Sequence, residues 1–231
     1  MLIYTLIGVE MKLLVISDGH GAIDNLISLS DIAKSVDLVL FAGDFATFGQ
    51  LHTGLPFLKQ LRSLHKNVYA VLGNCDSPVF IEELKTHGIN IQASCVHFED
   101  FILLGSGGAS KFTGATPNER TDEELVSDID SFYKQEDGNN IILVTHNPPH
   151  GAKTDKVAPL VHVGSKLIRK FIEEKKPILA VSGHIHEAFG IDTIGETLLL
   201  NPGALCDGRF AIAEIIKENG KYKASAILKT I

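Results

Sequence analysis

Five apolar runs in this chain each end on residues able to hold a metal ion. Leu13–Ser17 leads into Asp18-Gly19-His20, Leu38–Ala42 into Gly43-Asp44, and Val68–Leu72 into Gly73-Asn74-Cys75-Asp76. Ile141–Thr145 leads into His146, and Ile178–Ser182 into Gly183-His184-Ile185-His186. Asp18 and His20 stand two apart in a turn and can reach one ion. Asp44 has two oxygens and can bridge two ions. Asn74 offers a neutral hard oxygen, and His184 and His186, also two apart, can point at different ions. Asp18, His20, Asp44, Asn74, His146, His184 and His186 together can hold two divalent metals, and the chemistry of such a centre is hydrolysis by activated water. Nitrogen and oxygen ligands suit Mn²⁺, Fe, Zn²⁺, Ni²⁺ or Mg²⁺ without selecting sharply among them. Manganese is expected first.

The elements that must position these groups follow from the same runs. Short stretches of Val, Ile and Leu read as strands buried on both faces. A ligand just after each one lies at the carboxyl end of a strand, where open α/β sheets collect their sites. Between the strands, Asp24–Ser35 carries apolar residues at helical spacing, Pro56 opens a second helix, and Pro78–His87 forms a third. This alternation implies parallel pairing with helices on the faces. Val96–Phe98 and Phe101–Leu104 then flank Glu99-Asp100 as an antiparallel hairpin. Thr121 and Glu124 match a capping box, opening a helix expected to run to about Gln135. Phe189–Asp192, Thr197–Leu200, Phe210–Ile215 and Tyr222–Leu228 read as strands separated by turns at Gly195, Asn201-Pro202-Gly203 and Asn219-Gly220. The pattern predicts an α/β sandwich with mixed sheets in one domain, residues 11–231. Met11-Lys12-Leu13 reads as a natural start, with Met1–Glu10 an upstream extension or a short added strand.

The net charge of −7 gives no electrostatic case for nucleic acid or an anionic membrane as a partner. No apolar run reaches the ~18–20 residues of a membrane span. Three cysteines in 231 residues do not form a secreted disulfide framework, so a reducing compartment, the cytoplasm, is expected.

In order and in strand context the five motifs resemble the calcineurin-like metallophosphoesterases, whose pattern is Asp-x-His, Gly-Asp, Gly-Asn-His-Asp/Glu, His, and Gly-His-x-His. The resemblance covers roughly residues 12–215. It implies a four-layer αββα sandwich, with Asp18, His20 and His186 on metal one, Asn74, His146 and His184 on metal two, and Asp44 bridging. It also implies hydrolysis of a small phosphoester by a two-metal-activated water.

One residue departs from the pattern. Cys75 stands where most members carry a histidine that protonates the leaving group, although a small bacterial and archaeal phosphodiesterase branch also has Gly-Asn-Cys-Asp. A thiol with a pKa of ~8.5 is a poorer acid near neutrality than imidazolium. Cys75 therefore reads as a small filler beside the site, with His150 or His162 as the alternative source of the proton, and Asp76 as a cap for the Pro78 helix. Asn74, Cys75, Asp76 and His150 form the candidate catalytic set.

The substrate is narrowed by two absences. Phosphatases of this superfamily place an Arg after Gly-Asp and another after the Asn motif. Here Asp44 is followed by Phe45-Ala46-Thr47-Phe48 and Asp76 by Ser77-Pro78. A dianionic monoester loses its guanidinium clamp, so a phosphodiester is expected. The alternatives are a phosphomonoesterase, a nucleotide pyrophosphohydrolase, or a non-catalytic scaffold on the same fold. Gly105–Lys111 lacks the ending of a P-loop and reads as a turn into a substrate-side loop.

Overall fold

The computed structural model describes residues 9–112, 114–134 and 140–231. One sheet holds β1 (Val9–Ile16), β2 (Leu38–Phe41), β3 (Val68–Ala70), β14 (Arg209–Glu218) and β15 (Lys221–Thr230), in the order β15-β14-β1-β2-β3. A second holds β4 (Cys95–Phe98), β5 (Phe101–Ser106), β8 (Ile141–Thr145), β11 (Leu179–Val181), β12 (Gly190–Ile194) and β13 (Thr197–Asn201), in the order β12-β13-β11-β8-β5-β4. The pairs β1–β2, β2–β3, β5–β8, β8–β11 and β11–β13 are parallel, while β1–β14, β14–β15, β12–β13 and β4–β5 are antiparallel. The short pairs β6 (Ala109–Ser110) with β7 (Glu119–Arg120), and β9 (Lys156–Ala158) with β10 (Val161–His162), lie in the connecting loops.

Strand alternation builds the layers. In β1, Met11, Leu13 and Val15 enter the core between the sheets, while Leu14 and Ile16 face helices; in β2, Leu38 and Leu40 enter while Val39 and Phe41 face out. On the second sheet Phe101, Leu103, Ile142 and Val144 meet that shared core, and Ile102, Leu104, Ile141 and Leu143 turn to the opposite side. A strand buried on both faces must be covered twice. The first sheet is covered by α1 (Ile23–Ser28), α2 (Ser30–Ala33), α3 (Gly54–Leu64) and α4 (Ile81–Thr86), and the second by α5 (Asp122–Asp130) and α6 (Lys166–Lys175). The result is the expected αββα sandwich.

Several local expectations are corrected. The helix expected over Asp24–Ser35 is two short ones. The Ser28 and Ser30 hydroxyls donate to the Asn25 and Ile27 carbonyls at 2.7 and 2.5 Å, and Leu29 N–H reaches back only to Leu26. Such side-chain bonds compete with the helical ladder. The third helix opens as a 3-10 turn at Pro78–Phe80, and Asp76 does not cap it. The capping box at Thr121 is present, but its helix ends at Asp130, and Gln135 lies outside the described residues. Helix α6 was not anticipated, although Ser165 caps it through Ile168 N–H and Ile168, Phe171 and Ile172 form its buried stripe. Strand β1 begins at Val9, which pairs with Ile216; residues 1–8 are outside the described set. Among the described residues no helix is long and apolar enough to cross a membrane.

Candidate metal centre

The carboxyl ends of β1, β2, β3, β8 and β11 converge, and backbone bonds lock their turns together. Asp18 N–H donates to Gly43 O and His20 N–H to Asp44 O, each at 2.9 Å; across the sheets, His184 N–H reaches both Asp18 carboxylate oxygens at 3.2 Å. Asp18, His20, Asp44 and His184 all have positive φ, between 43° and 69°. Non-glycine residues rarely adopt this region, and each such residue costs about 1–3 kcal/mol that the surrounding structure must offset.

Asp76 supplies part of that offset. Its buried carboxylate accepts from Asp44 N and Gly73 N (2.9 and 2.8 Å), from Ala46 N (2.9 Å), and more distantly from Phe45 N (3.4 Å). It therefore fixes the two ligand turns to each other, the role found in place of a helix cap. Burial and the facing Asp44 carboxylate raise its pKa to about 7, against the pull of these amides.

Close approach also demands glycine at two ligand turns. A Cβ on Gly73 would lie 1.9 Å from Asp44 Oδ1, and one on Gly183 would lie 1.9 Å from Ser17 Oγ and 2.6 Å from Asp18 Oδ2.

Within this frame all seven sequence-predicted ligand residues come together. His20 Nε2 lies 3.3 Å from His186 Nε2 and 3.8 Å from Asp44 Oδ2, and His186 Nε2 lies 3.4 Å from Asp18 Oδ1. On the other side His146 Nε2 lies 3.5 Å from Asp44 Oδ2 and 2.9 Å from Asn74 Oδ1, with the His146 and His184 rings 5.2 Å apart. Asp44 Oδ2 thus faces both groups.

Hydrogen-bond direction shows what these groups lack. His146 Nδ1 lies 2.7 Å from Ala42 O, and His20 Nδ1 lies 3.2 Å from Ala46 O. A carbonyl only accepts, so each Nδ1 carries the proton, and in the neutral ring Nε2 offers a lone pair. Those lone pairs face carboxylate and amide oxygens that are also acceptors. A cation between them satisfies every partner, so the donor set fits divalent metal. Without a cation the nearest substitute is a proton. Burial works most strongly against it at His146, but the Asp44 and Asp18 carboxylates and the Ala42 carbonyl together outweigh burial and lift the pKa to about 9. Burial and the neighbouring His146 lower His184 to about 4. At Asp44 burial is the largest single influence, but His146, His20 and the Cys75 N–H together outweigh it and hold the carboxyl well below its usual range.

Cys75 is buried. Its N–H donates to Asp44 Oδ1 at 2.7 Å, and its sulfur lies 3.7 Å from Asn74 Nδ2. Burial and Asp44 push the thiol well above the usual range, so it is a poor proton donor. His150 and His162 stand around the buried Asp155. His162 Nδ1 is 2.6 Å from Asp155 Oδ1 and His150 Nδ1 is 3.8 Å from Oδ2, with the two rings 5.8 Å apart.

Sequence reasoning missed two neighbours of the centre. Cys206, five residues beyond Asn201, brings its sulfur within 4.8 Å of a ring nitrogen on each of His20 and His186. Arg209 donates to His186 O at 3.2 Å and stacks at 3.9 Å on Phe189, bracing that ligand. Neither belongs to one of the five ligand motifs; both follow β13 and the Asn201-Pro202-Gly203 turn, well after β11, the last ligand-bearing strand.

A cavity of about 520 Å³ borders the centre at Asn74 and His184. Its further walls include Ala109, Phe112, Val157, Val163 and Ile185, with Lys111 and Asn147 adding polar groups. The Gly105–Lys111 segment thus leads to the cavity edge. Glu119 organises the following loop: Phe112, Gly114 and Thr116 N–H groups converge on its carboxylate and hold its pKa down to about 2. Asn118 ties the loop to the ligand turn, donating through Nδ2 to Gly73 O and through its backbone N–H to Asn74 O.

The chain is similar to known proteins in sequence and in fold. The chain is 36% identical over 198 residues to the uncharacterized protein MJ1162 of Methanocaldococcus jannaschii, covering 83% of this chain and 88% of that one. The crystal structure of TT1561 of Thermus thermophilus superposes with a TM-score of 0.68 at 15% identity, over 94% of this chain and 99% of that one. A putative 5'-nucleotidase from Staphylococcus aureus, in complex with alpha-ketoglutarate, gives 0.62 at 12% identity, over 95% of this chain and 54% of that one. These two likenesses show the shared fold. Residues 11–188 match the family model for calcineurin-like phosphoesterases, and the chain belongs to that family.

Proposed function

We propose that this protein is a metal-dependent phosphodiesterase acting on a small phosphoester. The family uses divalent metals, and this chain supplies a donor set suited to them. In this reading Asp18, His20 and His186 would hold one metal and Asn74, His146 and His184 the other, with Asp44 shared between them. When bound, two such ions neutralise phosphate charge and bring the pKa of water towards ~7. The remaining work belongs to the chain. Ala42 and Ala46 carbonyls fix the imidazole tautomers, Asp76 holds the Asp44 turn, and Asn74 keeps its oxygen towards His146. The leaving oxygen needs a proton that Cys75 is poorly suited to give. His162, oriented by Asp155, or its neighbour His150 takes that role.

The observation that carries the diester reading is the largely apolar cavity beside Asn74 and His184. A diester has a second organic arm to place, and a cavity of this size accepts one. Among the described residues no arginine lines it to clamp a dianion. We take residues 11–231 as the functional domain, with Val9 and Glu10 lengthening its first strand. The three cysteines are free thiols, in keeping with the cytoplasm. With saturating Mn²⁺, kcat/KM for an aryl phosphodiester should exceed that for the matching monoester; the reverse order would move the assignment to a phosphatase.

A further inference from the structure

The two metal positions proposed above are not chemically alike. Around His146, the residues assigned to the second position offer only oxygen and nitrogen. Beside the first, the Cys206 sulfur and one ring nitrogen each of His20 and His186 lie within 4.8 Å of one another. This thiol is not a surface side chain that happens to pass nearby. Cys206 N–H donates to Asp18 O at 3.1 Å and Leu205 N–H to Ser17 O at 2.8 Å. Asn25 Nδ2 holds the Leu205 and Cys206 carbonyls at 2.9 and 3.3 Å. These bonds fasten the Leu205–Asp207 turn to the turn that carries Asp18 and His20. The His20 tautomer set by Ala46 leaves Nε2 as a lone-pair donor facing the same space, 3.3 Å from His186 Nε2.

We infer that Cys206 is a sulfur ligand of the first metal position, so that the protein loads two unlike metals. Thiolate with two imidazoles and a carboxylate is a donor set for Zn²⁺ or Fe²⁺, whereas the all-oxygen-and-nitrogen second position remains open to Mn²⁺ or Mg²⁺. On binding, a sulfur–metal bond replaces the S–H bond, and the proton leaves to solvent. Cys75 is the rival thiol, since its sulfur lies within 4.8 Å of His20 and Asp44 ligand atoms. It has one imidazole at hand instead of two, and its sulfur already faces the Asn74 amide.

The inference rests on the metal-centre reading, and cobalt separates the two. Metal-depleted full-length protein is titrated with Co²⁺ and followed for the sulfur-to-cobalt charge-transfer band in the near ultraviolet and for the ligand-field bands in the visible. The expected result is a charge-transfer band in the native protein that persists in Cys75→Ser and disappears in Cys206→Ser. Zn²⁺ affinity should fall about tenfold or more in Cys206→Ser, the scale on which a changed ligand environment alters metal binding, with Mn²⁺ affinity little changed. Ligand-field bands without charge transfer would overturn the inference and leave the metal centre standing. A band lost in Cys75→Ser instead would also overturn it. Absence of any cobalt binding would remove both readings. Should Cys206→Ser fold poorly by circular dichroism, alkylation of the native protein decides: Zn²⁺ should protect Cys206 from iodoacetamide, and equal labelling with and without Zn²⁺ would refute the assignment.

Discussion

Two regions of this molecule place a buried carboxylate between two histidines, and they have opposite needs. Around Asp155 the carboxylate accepts N–H bonds from Gly151, Ala152 and Gly164 at 2.9–3.0 Å, and His162 Nδ1 stands 2.6 Å away as a further donor. Donors and acceptors balance, and nothing more is required. Around Asp44 the flanking histidines have spent their Nδ1 protons on Ala42 and Ala46, so lone pairs face oxygens. The same residue types make a self-sufficient cluster in one place and a cation site in the other. What differs is where the backbone carbonyls stand.

The largest effects should come from exchanging a carboxylate for an amide in each region. Asp44→Asn should lose bound metal by elemental analysis and lower turnover at least about a hundredfold, the scale for losing a group that stabilises transition-state charge. Asp155→Asn should keep its metal and instead lose about 1–3 kcal/mol of stability in denaturant titration, because the amide nitrogen meets amide donors. If Asp155→Asn emptied the centre, the contrast between the regions would fail.

A more selective effect is expected at His162. If the Asp155-oriented ring gives the leaving group its proton, His162→Ala should reduce turnover of alkyl diesters about tenfold or more while sparing aryl ones, whose leaving groups need little help. His150→Ala, with the longer approach to Asp155, should show the weaker version. An unchanged alkyl-to-aryl ratio in both variants, with metal retained, would remove this cluster from the chemistry.

Part of this contrast was legible in the sequence. The seven ligand residues stood out because each follows a run too apolar to be anything but a buried strand, and strand alternation then forced two covered sheets. Of the Asp155 cluster only His150 and His162 were legible, as candidate proton donors, and not the carboxylate between them. Asp155 lies in a stretch where no periodic element was read, and its partners are backbone amides, which leave no trace in side-chain identity. Asp76 was misread for a related reason: a carboxylate just before Ser77-Pro78 looks like a cap, and only the fold shows it turned inward to the Asp44 turn. Cys206 belonged to no motif, and helix α6 was missed although Ser165 and its apolar stripe mark it.

A smaller effect concerns pH in chelator-treated protein. The folded His146 pKa, about 9, lies above the ordinary value of 6.5. The native state therefore binds this proton more tightly than the unfolded chain. That stabilisation is full below pH 6.5 and is lost as pH rises through about 9. Melting temperature should decline over this window, and His146→Asn should flatten the slope. Added metal should flatten it too, by taking the place of the proton. A slope unchanged in His146→Asn would assign the titration elsewhere.

The smallest effect is expected at the amino terminus. Deleting Met1–Glu10 removes the Val9–Ile216 pair from the end of β1. The loss should be within the ~0.2–1 kcal/mol of a cross-strand pair, with metal content and turnover unchanged. A larger drop in melting temperature would make the segment an integral part of the first sheet.

The crowding around Gly73 and Gly183 has a consequence for chemical rescue. A ligand truncated to alanine leaves a hole, and small molecules such as imidazole or acetate can diffuse into a hole and restore a missing donor. Alanine at Gly73 or Gly183 does the reverse, adding a methyl where Asp44 or Ser17 already stands. No additive can take volume away. Defects at these two glycines should therefore stay refractory to every supplement that revives a truncated ligand, although neither residue contributes a side chain to the centre.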